Sequence, residues 1–467
     1  MFIRFIIFSA IFIHAFAHSI EDFGAVSNDS SNEAAYKNTQ AIGDAFAAAN
    51  QDPNDRTVLL PSGKTFYFFN VSGTNLSSVT LRIEGVFVVS NNITEWENIM
   101  GPQPARINDE DHASCLLVTD SENFTLTGNG TIDGQGYDWW VHVWNSSIDH
   151  RPFLFRMKHS KEVEIFNMFF KNTPFWTMDF DDMLDLHIHD VDIHVDVVAQ
   201  KALMKQFGYW NEELGVPTFP LNTDGMDLRG RNVLVENVRI ECFDDGIAIK
   251  PTNSLGHEQN CSETGVCKRR LDGNGNYANC SQDMLIRNIQ TAFTIGMAIG
   301  SIPPDPAINC IKNITFENIN QYFPIRAAYI KTNPGNQGTG IVDSITFRNF
   351  YIFATILIPL YIGPQQQNQP GTNGSNCSLL YPFLSDQCQT QPLVEINNVL
   401  FENITTEMTL LIPGVLKCDP VTKCKNVTFI NVQNQGPFLA QPIYECHFAE
   451  GTKSSSNRLP LLCLEEK

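Results

Sequence analysis

Positive charge is scarce in this chain: 31 Lys and Arg stand against 51 Asp and Glu, for a net charge of −20. That balance excludes nucleic acid as a partner, because a phosphate backbone needs a basic face. It also repels anionic polysaccharide at long range, so such a substrate needs a locally basic cleft within an acidic shell. Cys-x-x-Cys pairs are absent, which argues against thiolate metal sites. No Gly-rich phosphate loop and no nucleophile elbow occurs. Nothing in the sequence calls for a cofactor or a bound metal. Beyond the first residues, no apolar run is long enough to span a bilayer. Helix signals are nearly missing from about Asn123 onward.

What is present points outward from the cell. The first residues, MFIRFIIFSAIFIHAFA, join a single positive residue, Arg4, to a short apolar run and an Ala15-Phe16-Ala17 cleavage signal. This reads as a secretory signal peptide over residues 1–17, with a mature chain of residues 18–467 forming one domain. The 12 Cys suit an oxidising compartment. Cys261/Cys267, Cys377/Cys388 and Cys418/Cys424 read as local loop staples. Sequons at Asn70, Asn92, Asn123, Asn145, Asn313, Asn403 and Asn426 belong to a set of about fourteen, the density of a secreted glycoprotein carrying N-glycans. The expectation is an extracellular monomer with no membrane attachment once the signal is removed.

One pattern repeats along the chain: short runs in which Val, Ile and Phe alternate with polar residues, with Asn near the ends. EVEIFNMFF, VLVENVRIECF, IKNITFENI and NVTFINV are examples. Asn288, Asn318 and Asn349 step by about thirty residues, the length of one solenoid turn. No turn buries its own apolar face, so turns must stack. Asn at corners tolerates left-handed backbone and can bond the next turn. Scarce two-residue hairpin signals disfavour an antiparallel sandwich. The fold class is therefore all-β, a right-handed parallel β-helix with a short N-terminal capping helix over Asn32–Asn50. The stretch from Cys418 to Cys463 is expected to staple the other end. An insertion from about Thr252 to Asp283, holding Cys261, Cys267, Cys280 and Lys268-Arg269-Arg270, interrupts the repeat.

Chemistry concentrates in two segments one turn apart, Asn222-Thr223-Asp224-Gly225-Met226-Asp227 and Phe243-Asp244-Asp245-Gly246-Ile247-Ala248-Ile249-Lys250. Aligned by their alternation, Gly225, Gly246 and Gly296 fall in register, as do the inward Leu228, Ile249, Ile299 and Ile330. Asp224 and Asp245 then sit about 4.8 Å apart in backbone terms on neighbouring turns. Asp244 joins them at the mouth of the same strand stack. Three crowded carboxyls cannot all ionise cheaply, so at least one holds its proton above the usual range. That one can serve as general acid while the others hold water. Inverting glycosidases divide their carboxyls this way, roughly 6.5–9.5 Å apart.

The chain resembles glycoside hydrolase family 28, the polygalacturonase family, over nearly the whole mature length. Phe23-Gly24-Ala25, the run from Gly128 to Gly136 followed by Trp139-Trp140, and Asn172-Thr173-Pro174-Phe175-Trp176 are similar to family motifs. The NTDG and DD-x-I-A-I-K segments carry the resemblance furthest. It implies Asp244 as general acid, Asp224 and Asp245 as the residues that activate water, and inversion at the anomeric carbon. Two departures stand out. Ile295 occupies the place of the family's His. Tyr329, in Tyr329-Ile330-Lys331, replaces the Arg that normally binds a uronate carboxylate with Lys, and a phenol lacks the charged fork.

Substrate-facing residues are read as Lys331, Tyr329, Lys250 and Asn222. Tyr329 would stack on a sugar, and Lys250 either binds an acidic sugar or pairs with a nearby Asp. Arg326 is a further candidate cation. The expected activity is hydrolysis of glycosidic bonds in pectic polysaccharide, with exo action and rhamnogalacturonan or xylogalacturonan as open variants. Competing readings are a non-catalytic glycan-binding β-helix derived from such an enzyme, and a polysaccharide lyase.

Weaker constellations remain. His187 and His189 share one strand face and read as a solvated surface rather than a metal site. Asp272-Gly273-Asn274-Gly275-Asn276 lacks the sixth-position Gly of a calcium loop. His257 could reach the acid from the insertion.

Overall fold

The computed structural model describes residues 17–101, 112–145, 149–196, 221–251, 280–302, 308–333, 339–365, 377, 381–382, 388–439, 442–456 and 464–466. The signal-peptide assignment rests on residues that are almost all outside this set. So do Cys261, Cys267, the Lys268-Arg269-Arg270 run, His257 and the Asp272–Asn276 stretch.

Every described strand pairs in parallel with its neighbours one turn away, and the strands form one continuous wound sheet. This is the right-handed parallel β-helix that the repeat predicts. One long ladder runs from Thr57–Leu60 through Ser281–Ala292 to Ala449–Lys453. A second runs through Phe153–Lys158, the first residues of Met178–His194 and of Met226–Glu241, then Asp245–Ile249, Gly296–Ile302, Ala328–Thr332, Leu360–Pro364 and Gly414–Lys417. This second ladder carries the site.

Alternation sets which side chains point inward. Phe316, Phe347, Phe401 and Phe429 share one column of the first ladder, fully buried, with successive ring centroids 5.3, 5.2 and 4.7 Å apart. Burying each such ring contributes about 2–3 kcal/mol. The stack also pins register, since a one-residue slip would turn the whole column to solvent.

The corners bear out the role expected of Asn. Asn237, Asn288, Asn318, Asn349, Asn403 and Asn431 all have φ between 53° and 57°. From Asn288 onward, each side-chain amide donates to the Oδ1 of the Asn one turn earlier, at 3.0–3.2 Å.

The capping helix spans Asn32–Gln51, with the Ser31 hydroxyl accepting from the N–H of Ala34. Ala34, Ala35, Asn38, Ala41, Ile42, Ala45, Phe46 and Ala49 line one face and are buried over the first strands. Two further helices, Ile93–Met100 and Tyr137–Asn145, were not expected. The second seats Trp139 and Trp140 in the core, so tertiary packing rather than periodicity holds it. The local bridges Cys377–Cys388 and Cys418–Cys424 are present. Cys280 instead reaches across to Cys310 on the next turn, where a single strand register brings them together.

Candidate active site

The site lies on the outward face of the second ladder. Leu228, Ile249, Ile299 and Ile330 pair in one column and point into the core, as the alternation predicts. Gly296 is a correction. It pairs with Asp245 rather than Gly246, because a bulge at Gly246 adds a residue to that strand.

Asp224, Asp244 and Asp245 converge there, with oxygens of all three within 4.8 Å of one another. This is tighter than the roughly 6.5–9.5 Å of a usual inverting pair. A water hydrogen-bonded to two oxygens at about 2.7 Å from each spans up to roughly 5.4 Å, so the spacing admits one water between carboxylates.

The three carboxyls have different partners. Asp244 accepts backbone N–H groups from Asn222 and Asp245, each at 2.9 Å, which fixes its orientation. Asp245 accepts the Lys331 ammonium at 2.8 Å on one oxygen and the Tyr329 hydroxyl on the other. Oδ1 of Asp224 is buried with no hydrogen-bond partner. Burial, followed by the charges of Asp244, Asp227 and Asp245, lifts the Asp224 carboxyl well above its ordinary range. Burial and then the Asp245 charge push Asp244 up to about 6, against Lys331 and the two N–H donors. Asp224 and Asp244 are thus both biased toward protonation and form a dyad that retains a proton in mildly acidic solution.

The remaining predicted residues are placed as follows. Lys250 takes the second of its two readings: its ammonium lies 3.1 Å from Asp227 and 4.8 Å from the centroid of the Trp176 ring. Asp227 is raised to about 7, chiefly by burial, with Lys250 opposing. Asn222 turns its backbone N–H to Asp244 and its side-chain oxygen to Arg151 at 3.2 Å. Tyr329 is fully buried, so it lacks the open ring face that sugar stacking requires. Its neighbours are Ile295, Tyr361, Tyr381 and the Cys377–Cys388 bridge, an apolar wall built on the outward face of the ladder. Ile295 sits beside the acid, its N–H donating to the Asp244 carbonyl at 2.7 Å.

Arg326, in sequence no more than a further candidate cation, is central to the site. It is buried, with its guanidinium 4.8 Å from the centroid of Tyr361 and 5.5 Å from that of Tyr329. Its Nε and Nη2 have no hydrogen-bond partner. An unpaired buried guanidinium beside the acidic triad is a ready receptor for a carboxylate. Arg326 lies in a turn where no alternation marks its direction. Arg229, Lys250, Lys331 and Lys417 each follow an inward residue of the ladder, with Gly300 and Gly363 at the intervening turns. Three of the four are ion-paired, Arg229 with Asp179 at 2.9 Å, Lys250 with Asp227 at 3.1 Å and Lys331 with Asp245 at 2.8 Å, so their charge is largely balanced within the site.

Among the described residues, two clusters group possible metal ligands: the Asp triad, and Glu164 with His187 and His189. In the triad, Lys331 and Tyr329 already occupy both oxygens of Asp245, which works against a cation there.

Residues 51–455 match the family described as glycosyl hydrolases family 28. A probable exopolygalacturonase C of Aspergillus niger is 25% identical over 422 residues, spanning 84% of this chain and 80% of that protein. The exopolygalacturonase of Cochliobolus carbonum is 21% identical over 430 residues, spanning 88% and 82%. The endo-xylogalacturonan hydrolase from Aspergillus tubingensis superposes with a TM-score of 0.63 at 18% identity, covering 88% of this chain and 92% of that one. The polygalacturonase from Erwinia carotovora ssp. carotovora gives 0.62 at 18% identity, covering 97% and 96%. At such identities the structural likeness speaks to the fold.

Proposed function

The chain belongs to glycosyl hydrolases family 28, and from that premise we propose that it is a secreted hydrolase that trims uronate-bearing pectic polysaccharide from a chain end. The observation that carries the reading is the Asp224–Asp244–Asp245 cluster beside the unpaired guanidinium of Arg326. Together they supply acid, base and a carboxylate receptor.

In the proposed reaction the Asp224–Asp244 dyad holds one proton. Asp244, oriented by two N–H donors, passes it to the glycosidic oxygen as the bond to the anomeric carbon breaks. Asp245, braced by Lys331 and Tyr329, holds the attacking water with Asp224. The water oxygen bonds the anomeric carbon, and its released proton returns to the dyad. The configuration inverts. Arg326 and Lys331 engage the sugar carboxylate, while Lys250 stays with Asp227.

Exo action fits the buried cluster of Tyr329, Tyr361 and Tyr381, which is built on the outward face of the ladder from turns that follow the triad in the chain. The curated relatives named above are also described as exopolygalacturonases. Export is supported by the disulfides, and among the described residues no helix is long and apolar enough to cross a membrane. We take the protein to act as a glycosylated monomer.

A second reading, a glycan-binding protein without turnover, draws on Tyr329. Its hydroxyl occupies an Asp245 oxygen that water would otherwise use. Incubation with homogalacturonan, rhamnogalacturonan and xylogalacturonan separates the two. Release of monosaccharide uronate supports exo hydrolysis, whereas binding without any product supports the second reading and defeats the first.

A further inference from the structure

We propose that Glu164, His187 and His189 form a binding site for a divalent transition-metal ion of the zinc class, on the outer surface of the solenoid and apart from the carboxylate triad. His187 and His189 alternate on one strand, so both rings project from the same face. Glu164 stands on the neighbouring turn, directly paired with His187. Its Oε1 lies 3.9 Å from Nδ1 of His187 and 3.5 Å from Nε2 of His189, and all three donor atoms fall within 4.8 Å of one another. A tetrahedral ion with bonds of about 2.0–2.1 Å places its ligands roughly 3.3–3.4 Å apart. Glu164 thus lies within about 0.2 Å of that spacing from His189 and about 0.5 Å from His187, and small side-chain rotations close the cluster on an ion whose fourth position is open to water.

The outer nitrogens carry the argument further. Nε2 of His187 lies 3.1 Å from Glu236, which Arg287 holds in turn at 2.6 Å. Nδ1 of His189 lies 2.7 Å from Asp190. Each imidazole thus has one nitrogen fixed by a carboxylate and the other aimed at Glu164. This is the arrangement by which outer carboxylates orient and enrich metal-binding histidines. Phe166 stacks on His189 at 5.0 Å and 4°, fixing the ring plane. The outer nitrogens face carboxylates and the inner ones face the Glu164 oxygen, an arrangement that a positive charge between them favours. Two imidazoles and one carboxylate suit zinc, nickel or copper rather than calcium or magnesium. A bound ion would tie two adjacent turns together.

The alternative source of positive charge is protonation of the rings, and titration separates the two. Zn2+ is titrated calorimetrically into tag-free, full-length protein at pH 7.5 and again at pH 5. The expected result is one ion per chain at pH 7.5, with affinity falling steeply at pH 5, where protons compete with the ion for the imidazole nitrogens. H187A and H189A should abolish that binding, and E164Q should weaken it at least tenfold. Urea midpoints and hydrolytic rates without zinc should match the parent. Absence of binding in the parent, or binding that survives in H187A and H189A, would overturn the assignment. Should a variant fail to fold, X-ray absorption at the zinc edge of the parent decides: scattering from two imidazoles supports the site, and its absence refutes it.

Discussion

Raising the pH from 5 to 7 should both slow this enzyme and loosen its fold, for one reason. The Asp244 carboxyl sits at about 6, lifted by burial and by the charge of Asp245. A general acid must carry its proton, so its competent fraction falls from about nine-tenths at pH 5 to about one-tenth at pH 7, and kcat/KM falls about tenfold. Stability follows in the same direction. In the unfolded chain an Asp titrates near 3.9, so the folded state binds the extra proton between about pH 4 and 6. A group raised on folding gives its stabilisation fully below the unfolded pKa and loses it as pH climbs through the folded one. The difference of about two in pKa corresponds to about 3 kcal/mol, lost by pH 7. Urea unfolding at pH 4, 5, 6 and 7 should trace that loss, steepened by Asp227 and Asp224, which are raised in the same sense. Asp244→Asn cannot ionise, so its stability curve should be flatter by up to that amount, and at pH 7 the variant should outlast the parent. A parent most active at neutral or alkaline pH would refute the reasoning, as would an Asp244→Asn curve parallel to that of the parent.

Other expectations follow from the same geometry. Arg326→Met removes a charge-assisted contact of about 1.5–3 kcal/mol, so KM for polygalacturonate should rise about ten- to a hundredfold with a smaller change in kcat. Unchanged KM would remove Arg326 from the substrate site. Proton NMR of the first product should show the anomer opposite to that of the substrate bond; the same anomer would mean that a carboxylate, not water, attacks. Asn318→Ala loses an amide hydrogen bond and places Cβ in left-handed backbone without local compensation, costing about 2–3 kcal/mol by urea unfolding. Asn318→Gly should recover the backbone share of that loss.

The fold was legible because its rules are local and repeat. Asn288, Asn318 and Asn349 announce the turn length, and alternation around Leu228 and Ile249 fixes which side chains point inward. That register alone brought Asp224 beside Asp245. What alternation could not show was its own interruption: the bulge at Gly246 shifts Gly296 by one position. Partners supplied by distant segments were equally hidden. Tyr329 reads as an exposed platform until Tyr361, Tyr381 and the Cys377–Cys388 bridge bury it. Arg326 stands in a turn with no period to orient it. His187 and His189 look like a solvated face until Glu164 and Glu236 arrive from the turns on either side. Cysteines close in sequence suggested local bridges, yet Cys280 and Cys310 meet because one turn separates them.

The account rests on Asp244 delivering a proton to the leaving oxygen. Its most direct test compares Asp244→Asn with the parent at pH 5 on two substrates: polygalacturonate, whose sugar leaving group needs protonation, and galacturonosyl fluoride, whose leaving group does not. Asp244→Asn should lose at least a hundredfold on the polymer, within the range of general acid catalysis, while keeping most of its rate on the fluoride. Equal activity of variant and parent on the polymer, or equal losses on both substrates, would contradict the assignment.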